Sequence, residues 1–448
     1  MHKVLVLGAG RVAAPLVKYL LSHSISVTLA DSDDTRALAL LAAHPLGRAV
    51  KLNVTDEAGL DQLVKNHHLV VSLLPYAFHV LVAHVCLRHS RSLVTTSYVQ
   101  PGMELLDAEA RAAGVLLLNE MGLDPGIDHM SAMRVIDRVK SEGGVVESFY
   151  SFCGALPAPE SVDNPFGYKF SWSPKGVLMA GNNGARFLKD SSVVEIEPGN
   201  LFKNPLQVDF TGVGPLEVYP NRDSISYIGL YGLTGIETMM RGTFRYPGWC
   251  QAIDMMKTFN LLSDLPSDFT GKSYAEMTAQ VAGVPSEGSV KQALVEKFGL
   301  QIDSPALRAL EWLGLFSSFP MRRGFDSPFE VVSDLMIGKM ELMSHERDMV
   351  VMQHLFQVLT ADGRRAQIKS SMLDYGDPQG DTSIARTVAM PAAIAVRMIL
   401  EGRIIMSGVH RPLLPEIYNP ILDELATWGI SLEEELEFLP DHACLDDL

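Results

Sequence analysis

Residues 3–31 read KVLVLGAGRVAAPLVKYLLSHSISVTLAD, and no other stretch constrains the fold as strongly. A short apolar run, Val4 to Leu7, ends in Gly8, Gly10 and Ala13, and an apolar helical pattern starts at once. After a spacing of about twenty residues a second apolar run ends in Asp31. A strand, a glycine-rich turn, a helix and a second strand closed by an acidic residue form a dinucleotide-binding unit. Gly8 makes the tight turn, Gly10 places no Cβ against a pyrophosphate, and Ala13 lets the helix lie close to the sheet. Arg11 and Val12 lead into that helix, whose N-terminal N–H groups and dipole favour phosphates. Asp31 is placed to accept both ribose hydroxyls of an adenosine and to repel a 2′-phosphate, so NAD is expected ahead of NADP. Arg36 lies nearby and reads as a solvated helix charge. An ordinary glycine-rich turn before a helix is the plainer alternative.

The alternation continues. KVLVLG, SVTLAD, AVKLNVT, HLVVSLLP, SLVTTSYV and VLLLNEMG are strand-like, with helical patterns such as DEAGLDQLVKNH between them. Strands separated by crossovers imply a parallel, doubly wound Rossmann-like α/β sheet. Ligands of such sheets sit beyond the carboxyl ends of the strands. Four more segments are therefore expected at the cofactor: Asn53-Val54-Thr55, Ser72-Leu73-Leu74-Pro75, Thr96-Ser97-Tyr98 and Leu123-Asp124-Pro125-Gly126. Asn53 and Val54 serve equally well as an adenine contact or as a plain polar turn.

From about residue 145 the texture changes to longer, mostly antiparallel strands, interrupted at 250–342 by helical patterns. The expected organisation is a Rossmann domain over 1–121, completed by 383–448. An α+β mixed-sheet domain takes 122–249 with 343–382, and 250–342 is an inserted small helical domain. TSIARTVAMPAAIAVRMILEG is expected to pack back on the first domain, and the terminal DHACLDDL to fray. A net charge of −16 disfavours nucleic acid and anionic membranes as partners. The four cysteines (Cys86, Cys153, Cys250, Cys444) lack paired spacing, which disfavours disulfides and a cysteine zinc site. No His–carboxylate cluster has ligand spacing, so no metal is expected. The N-terminus enters a strand directly and no uninterrupted apolar stretch has the length of a membrane span, so a cytoplasmic protein is expected.

Several dense motifs remain. Asp124-Pro125 reads as a helix N-cap with proline at the first helical position, and its carboxylate could also meet substrate. His129 reads as a core or capping histidine. Arg222, in YPNRDS, and Arg245, in RGTFRYPGW, sit among Pro, Gly and aromatic residues rather than in a solvated charge run. Such guanidinium groups suit carboxylates or structural salt bridges. The run Asn164–Pro174 is expected to form a lid or pocket wall, with Lys169 adding positive charge.

These motifs resemble the saccharopine dehydrogenase (L-glutamate-forming), or saccharopine reductase, family, including the corresponding half of bifunctional aminoadipic semialdehyde synthases. The matching runs are SLLPY at 72–76, TSYV at 96–99, GLDPGIDHM at 122–130, CGALPAPE at 153–160, NPFGYKFSWSPKGVL at 164–178, YPNRDS at 219–224 and RGTFRYPGW at 241–249. RTVAMP at 386–391 stands where the family has a KTVGLP-like element, and Ala155 replaces a usual glycine, a methyl expected to shift a local turn. The resemblance implies a Rossmann domain, a sheet domain that often forms a homodimer interface, and a helical insertion. It also implies NAD(P)-dependent oxidative cleavage of L-saccharopine to L-glutamate and 2-aminoadipate 6-semialdehyde, or the reverse, in lysine metabolism. Tyr98, Asp124 and Cys153 become catalytic candidates. Ser97, Tyr98, Asp124, Arg222, Thr243, Phe244 and Arg245 become candidates for binding substrate. Two other readings stay open: an imine reductase making carboxynorspermidine or homospermidine, and an NAD(P)-binding redox-sensing regulator.

Overall fold

The opening residues form a strand, a turn and a helix because their apolar positions change period from continuous to three-and-four spacing. In a computed structural model, which describes residues 2–172 and 174–440, Val4–Leu7 are buried, and Ala13, Leu16, Val17, Leu20 and Leu21 form the buried side of the following helix. The elements in chain order are β1 (Lys3–Leu7), α1 (Ala13–Ser22), β2 (Ser26–Asp31), α2 (Asp34–Leu41), β3 (Gly47–Lys51), α3 (Glu57–Lys65), β4 (Leu69–Ser72), α4 (His79–Arg88), β5 (Ser92–Thr95), α5 (Pro101–Glu104), α6 (Asp107–Ala113), β6 (Leu116–Leu118) and α7 (Ile127–Ser141). Then come β7 (Val145–Pro157), α8 (Pro174–Ala180), β8 (Ala185–Lys189), β9 (Ser192–Ile196), β10 (Leu206–Phe210), β11 (Gly214–Pro220), α9 (Ser226–Leu230), β12 (Thr238–Arg245) and α10 (Trp249–Thr258). The rest are β13 (Ser267–Asp268), α11 (Tyr274–Ala282), α12 (Val290–Phe298), α13 (Pro305–Leu313), β14 (Phe325–Asp326), α14 (Pro328–Lys339), β15 (Asp348–Leu359), β16 (Arg365–Tyr375), α15 (Ser383–Leu400), β17 (Gly408–His410), α16 (Pro415–Thr427) and β18 (Glu433–Phe438).

The described chain divides into two units, residues 2–146 with 358–436, and residues 147–357 with 437–440. The first holds a seven-stranded sheet in the order β17-β6-β5-β4-β1-β2-β3, every ladder parallel. This is the doubly wound α/β sheet expected from the alternation. The order reverses between β1 and β4, so the crevice for a ligand opens beyond Leu7 and Ser72. Leu5, Leu7, Val70, Val82, Leu93 and Leu117 belong to one buried cluster, each contributing about 1.5–3 kcal/mol by leaving water. From the far end of the sequence, β17 extends the sheet beside β6, and α15 packs on α1, β4 and β5. Among the described residues α15 is the helix long and apolar enough to cross a membrane, and most of it is core of this unit.

The second unit carries a mixed sheet in which β10-β11-β12-β7-β15 are neighbours, with β8 pairing β12 and β9. Most of its ladders are antiparallel, as their alternating patterns suggest, but β7 and β12 run parallel because β8 to β11 intervene in the chain. The five helices α10 to α14 cover the predicted helical stretch. Their ends follow ordinary capping chemistry: Ser273, Ser289, Ser304 and Ser327 accept from backbone N–H groups, and Gly283, Gly299 and Gly314 take left-handed conformations at the far ends of α11, α12 and α13.

Two local expectations change. Residues 164–170 pack inside and form no lid, which leaves the pocket-wall alternative open: Phe166, Tyr168 and Phe170 are at most 1 % exposed, and Asn164 closes a turn by accepting from Phe166 N and donating to Tyr168 O. Lys169 is buried and neutralised by Asp163 and Glu346, so it offers no charge to a ligand. Ala155 lies inside β7, so its methyl shifts no turn. The C-terminal DHACLDDL, with Cys444, lies outside the described residues.

Candidate active site

In the first unit the segments picked from the sequence gather at the strand ends. Gly8 adopts φ +102°, and a Cβ there would stand 3.1 Å from Leu73 O, so only glycine permits β1 and the Leu73-Leu74-Pro75 turn to lie this close. A Cβ on Gly10 would meet nothing within 4 Å, which leaves space above the turn. The N-cap residue Val12 supplies no side-chain acceptor, and the first turn of α1 holds no acidic residue. An open glycine and an uncapped helix start suit a pyrophosphate, so these residues fit a dinucleotide.

Asp31, at the end of β2, already holds two backbone donors. Its Oδ2 accepts from Ala9 N at 2.6 Å and its Oδ1 from Asp33 N at 3.0 Å. Burial alone would raise this carboxyl, but those two N–H donors, with the Ser32 hydroxyl and the Arg36 charge, outweigh it and hold the group below the ordinary carboxylate range. The carboxylate therefore ties two loops together, and its presence alone does not select a cofactor. Asn53 Oδ1 accepts from Thr55 N and Thr55 Oγ1, closing a polar turn, while Val54 is buried. Thr96 and Ser97 follow β5 and are half-buried.

The segment after β6 corrects a second expectation. The Asp124–Pro125 peptide is cis, α7 starts only at Ile127, and Gly126 stands at its N-cap. Asp124 is thus released from capping, and Tyr98 Oη donates to its Oδ1 at 2.5 Å. Asp128 fills the local role instead, accepting from Gly126 N at 2.6 Å. Gly126 is irreplaceable: at φ +150° its Cβ would lie 2.0 Å from Gly122 O. Leu123 is buried behind this loop.

Beneath the Tyr98–Asp124 pair lies a buried charge cluster that the sequence reading missed. Glu120, 3 % exposed, accepts from Val99 N at 2.8 Å and Arg411 Nε at 3.0 Å, and its other oxygen is 2.7 Å from His129 Nε2. Glu120 also takes a left-handed backbone conformation, φ 60°, and donates its N–H to Ser97 O. One carboxylate thereby joins the loop bearing Ser97 and Tyr98 to the one bearing Asp124. Burial would raise the Glu120 carboxyl, but His129, Val99 N–H and Arg411 hold it below its usual range. A depressed folded-state value means stability that is present above about pH 4.3 and lost as pH falls through the folded value. Glu120→Gln is expected to lower unfolding free energy by about 3 kcal/mol at neutral pH. Urea midpoints measured from pH 7 down to pH 3 should converge with those of the wild type. An unchanged midpoint at pH 7 would show the cluster to be dispensable.

In the second unit, Cys153 on β7, Thr243 on β12 and Tyr219 on β11 stand abreast in the ladder, on one face of the sheet. Two residues along the same face is Arg245, opposite Glu217. Arg245 is 4 % exposed, and its guanidinium lies 4.9 Å from the ring of Tyr168, 5.4 Å from Trp249 and 5.7 Å from Tyr219. Among the described residues no carboxylate pairs with it. Nη1 donates to Phe244 O, Nε has no partner, and Glu217 instead accepts from Gly248 N and Cys250 N. A buried cation held by aromatic faces and one backbone carbonyl, with no carboxylate partner, is suited to an incoming anion. Phe244 points the other way, into the core against Phe152 and Phe210, so its side chain offers no surface to substrate. Arg222 is exposed at φ 52°, two residues past the end of β11, whereas Arg245 stands opposite Glu217 within the ladder.

The chain has extensive likeness to known proteins. Residues 4–118 match the model of the saccharopine dehydrogenase NADP binding domain, and residues 122–430 that of the saccharopine dehydrogenase C-terminal domain. The chain is 37 % identical to saccharopine dehydrogenase [NADP(+), L-glutamate-forming] of Schizosaccharomyces pombe, covering 97 % of this chain and 99 % of that one. Identity to the mouse mitochondrial alpha-aminoadipic semialdehyde synthase is also 37 %, over 96 % of this chain and 47 % of that protein. The structure of apo saccharopine dehydrogenase (L-Glu forming) from Saccharomyces cerevisiae superposes with a TM-score of 0.90 at 36 % identity, covering 98 % of this chain and all of that one. The NADP(+) in the relative's name stands against the expectation of NAD drawn from Asp31.

Proposed function

The chain belongs to the saccharopine dehydrogenase family, and on that premise we propose that it oxidatively cleaves L-saccharopine to L-glutamate and 2-aminoadipate 6-semialdehyde, or runs the reverse condensation, in lysine metabolism. The observation that carries this reading is the 37 % identity over nearly the whole length of L-glutamate-forming relatives. The cofactor is a nicotinamide dinucleotide held by the Gly8–Ala13 turn, and we take NADP as the working form. With the Asp31 oxygens engaged by Ala9 N, Asp33 N and the Ser32 hydroxyl, the exposed Arg36 is the group available to a 2′-phosphate.

When bound, the nicotinamide supplies a hydride acceptor. The substrate loses hydride from its lysine-derived carbon, and the nitrogen lone pair forms the C=N bond. Water then adds, the C–N bond breaks, and the amine leaves as glutamate while the carbon leaves as aldehyde. Asp124 is assigned to take the proton of the secondary ammonium, because a neutral amine is needed before hydride can leave. Tyr98 holds Asp124 in place through its hydroxyl. On the second unit, Arg245 is assigned to a substrate carboxylate, and Cys153 and Thr243 to the same face. Arg222 is assigned to another of the three carboxylates. A diamine-derived imine would be cationic and is disfavoured by Arg245 in its aromatic seat.

The test is direct. Protein is incubated with saccharopine and either NADP or NAD while reduced nicotinamide is followed at its absorbance maximum. Reduction is expected with both, at higher kcat/KM for NADP. Silence with saccharopine but turnover of carboxynorspermidine would move the assignment to the imine reductases. Cofactor binding with no turnover of either would favour a redox-sensing regulator.

A further inference from the structure

His79 takes no part in the chemistry assigned above, yet it is built into the floor of the same crevice. It begins α4, is 2 % exposed, and its ring lies between two hydroxyls. Nδ1 is 2.9 Å from Ser72 Oγ, and Nε2 is 2.9 Å from Ser97 Oγ. Ser72 ends β4 and is fully buried, while Ser97 follows β5 and is half-buried. Burial pushes the imidazole down to about 4, so the ring is neutral at ordinary pH and offers one N–H and one lone pair.

Ser72 decides which nitrogen holds the proton. Among the described residues its hydroxyl has a single hydrogen-bond partner, His79 Nδ1. Were Nδ1 protonated, Ser72 would accept from it and bury its own O–H without an acceptor, at the full cost of desolvating that group. With Nδ1 bare, Ser72 donates to it and Nε2–H donates to Ser97 Oγ, and both buried groups are satisfied. Ser97 then has its lone pair engaged from below and its own proton uncommitted. We propose that His79 is a positioning residue that turns the Ser97 hydroxyl outward as a donor to a carbonyl or carboxylate oxygen of the bound ligand.

The strand-end position of Ser97 aims that donor at the crevice where cofactor and substrate are expected. Two ligand groups share the required chemistry, the nicotinamide carboxamide oxygen and a substrate carboxylate, and naming them rests on the functional reading above. The obvious partner of Ser97 from the protein side is already used differently: its backbone carbonyl accepts from Glu120 N.

The experiment compares Ser97→Ala, His79→Asn, His79→Gln and the His79→Asn/Ser97→Ala double variant. Two constants are read: Kd for NADPH by fluorescence titration of the protein alone, and KM for saccharopine. Asparagine reaches only the Nδ1 position, whereas glutamine extends to the Nε2 position and keeps a donor there. Ser97→Ala and His79→Asn are each expected to weaken the same constant by about tenfold, the worth of one ordinary hydrogen bond. A change in Kd assigns the acceptor to the nicotinamide, and a change in KM alone assigns it to substrate. His79→Gln should stay within about threefold of wild type, and the double variant should match Ser97→Ala because the effects share one hydroxyl. Equal losses in the asparagine and glutamine variants, additive losses near 100-fold in the double variant, or no change in either constant would each overturn the proposal. Melting temperatures of all four variants separate a folding defect from these effects. If the wild type is silent with saccharopine, the functional reading fails and the proposal stands on the nicotinamide alone: a rise of about tenfold in Kd for NADPH in Ser97→Ala and His79→Asn then supports it, and an unchanged Kd overturns it.

Discussion

Asp124→Asn is expected to lower kcat/KM for saccharopine roughly 100- to 1,000-fold, the usual worth of a positioned proton acceptor. Asparagine preserves the size of the side chain and can still accept from Tyr98, but it cannot take a proton at any working pH. NADPH affinity should hold within about threefold, since the glycine turn and α1 are untouched. Tyr98→Phe keeps the ring and removes only the hydroxyl that reaches Asp124 at 2.5 Å, so its loss should be about tenfold. The two variants together separate proton transfer from orientation. Turnover of Asp124→Asn equal to wild type between pH 6 and 10 would remove Asp124 from the chemistry and leave the substrate's own groups to move the proton.

The second large effect is expected at Arg245. Arg245→Met should raise KM for saccharopine by roughly 30- to 1,000-fold, corresponding to about 2–4 kcal/mol for a desolvated guanidinium–carboxylate contact. Its effect on stability should be small, and this is the diagnostic half of the prediction. An arginine in a structural salt bridge leaves a buried carboxylate stranded when it is replaced, at a cost of about 3–5 kcal/mol. Among the described residues Arg245 has no such carboxylate, and its seat is three aromatic rings. The cost of burying the cation is offset there by cation–π attraction. Methionine removes both, so the melting temperature should stay within about 5 °C of wild type. A fall of 10 °C or more with unchanged KM would show Arg245 to be a structural group.

Much of the first unit was legible because its signals are local. The turn residues, the change of hydrophobic period and the spacing to Asp31 all lie within one supersecondary unit, and so predicted the parallel sheet. The capping serines and terminal glycines of α11 to α13 are equally local. The failures share a cause. Asp124-Pro125 looks like a helix start in sequence, but whether the chain enters α7 there or after a further turn depends on Gly126 packing against Gly122. Asn164–Phe170 looks like a polar lid because Asn, Gly and Lys are written there. The neighbours that bury Lys169 include Glu346, far along the chain.

What the sequence determined by itself is the cofactor-binding scaffold, the family and the residue types available for chemistry, since these follow from periodicity and from motifs of adjacent residues. Tertiary structure alone decided which of those residues are free to act. It engaged Asp31 with two backbone donors, aimed Phe244 into the core, left Arg245 among rings without an anion, and set His79 between two serines. Each outcome depends on partners up to dozens of residues away, and on which face of a strand a side chain takes. Hydrogen-bond capacity is spent in three dimensions, so no run of adjacent letters records where it has gone.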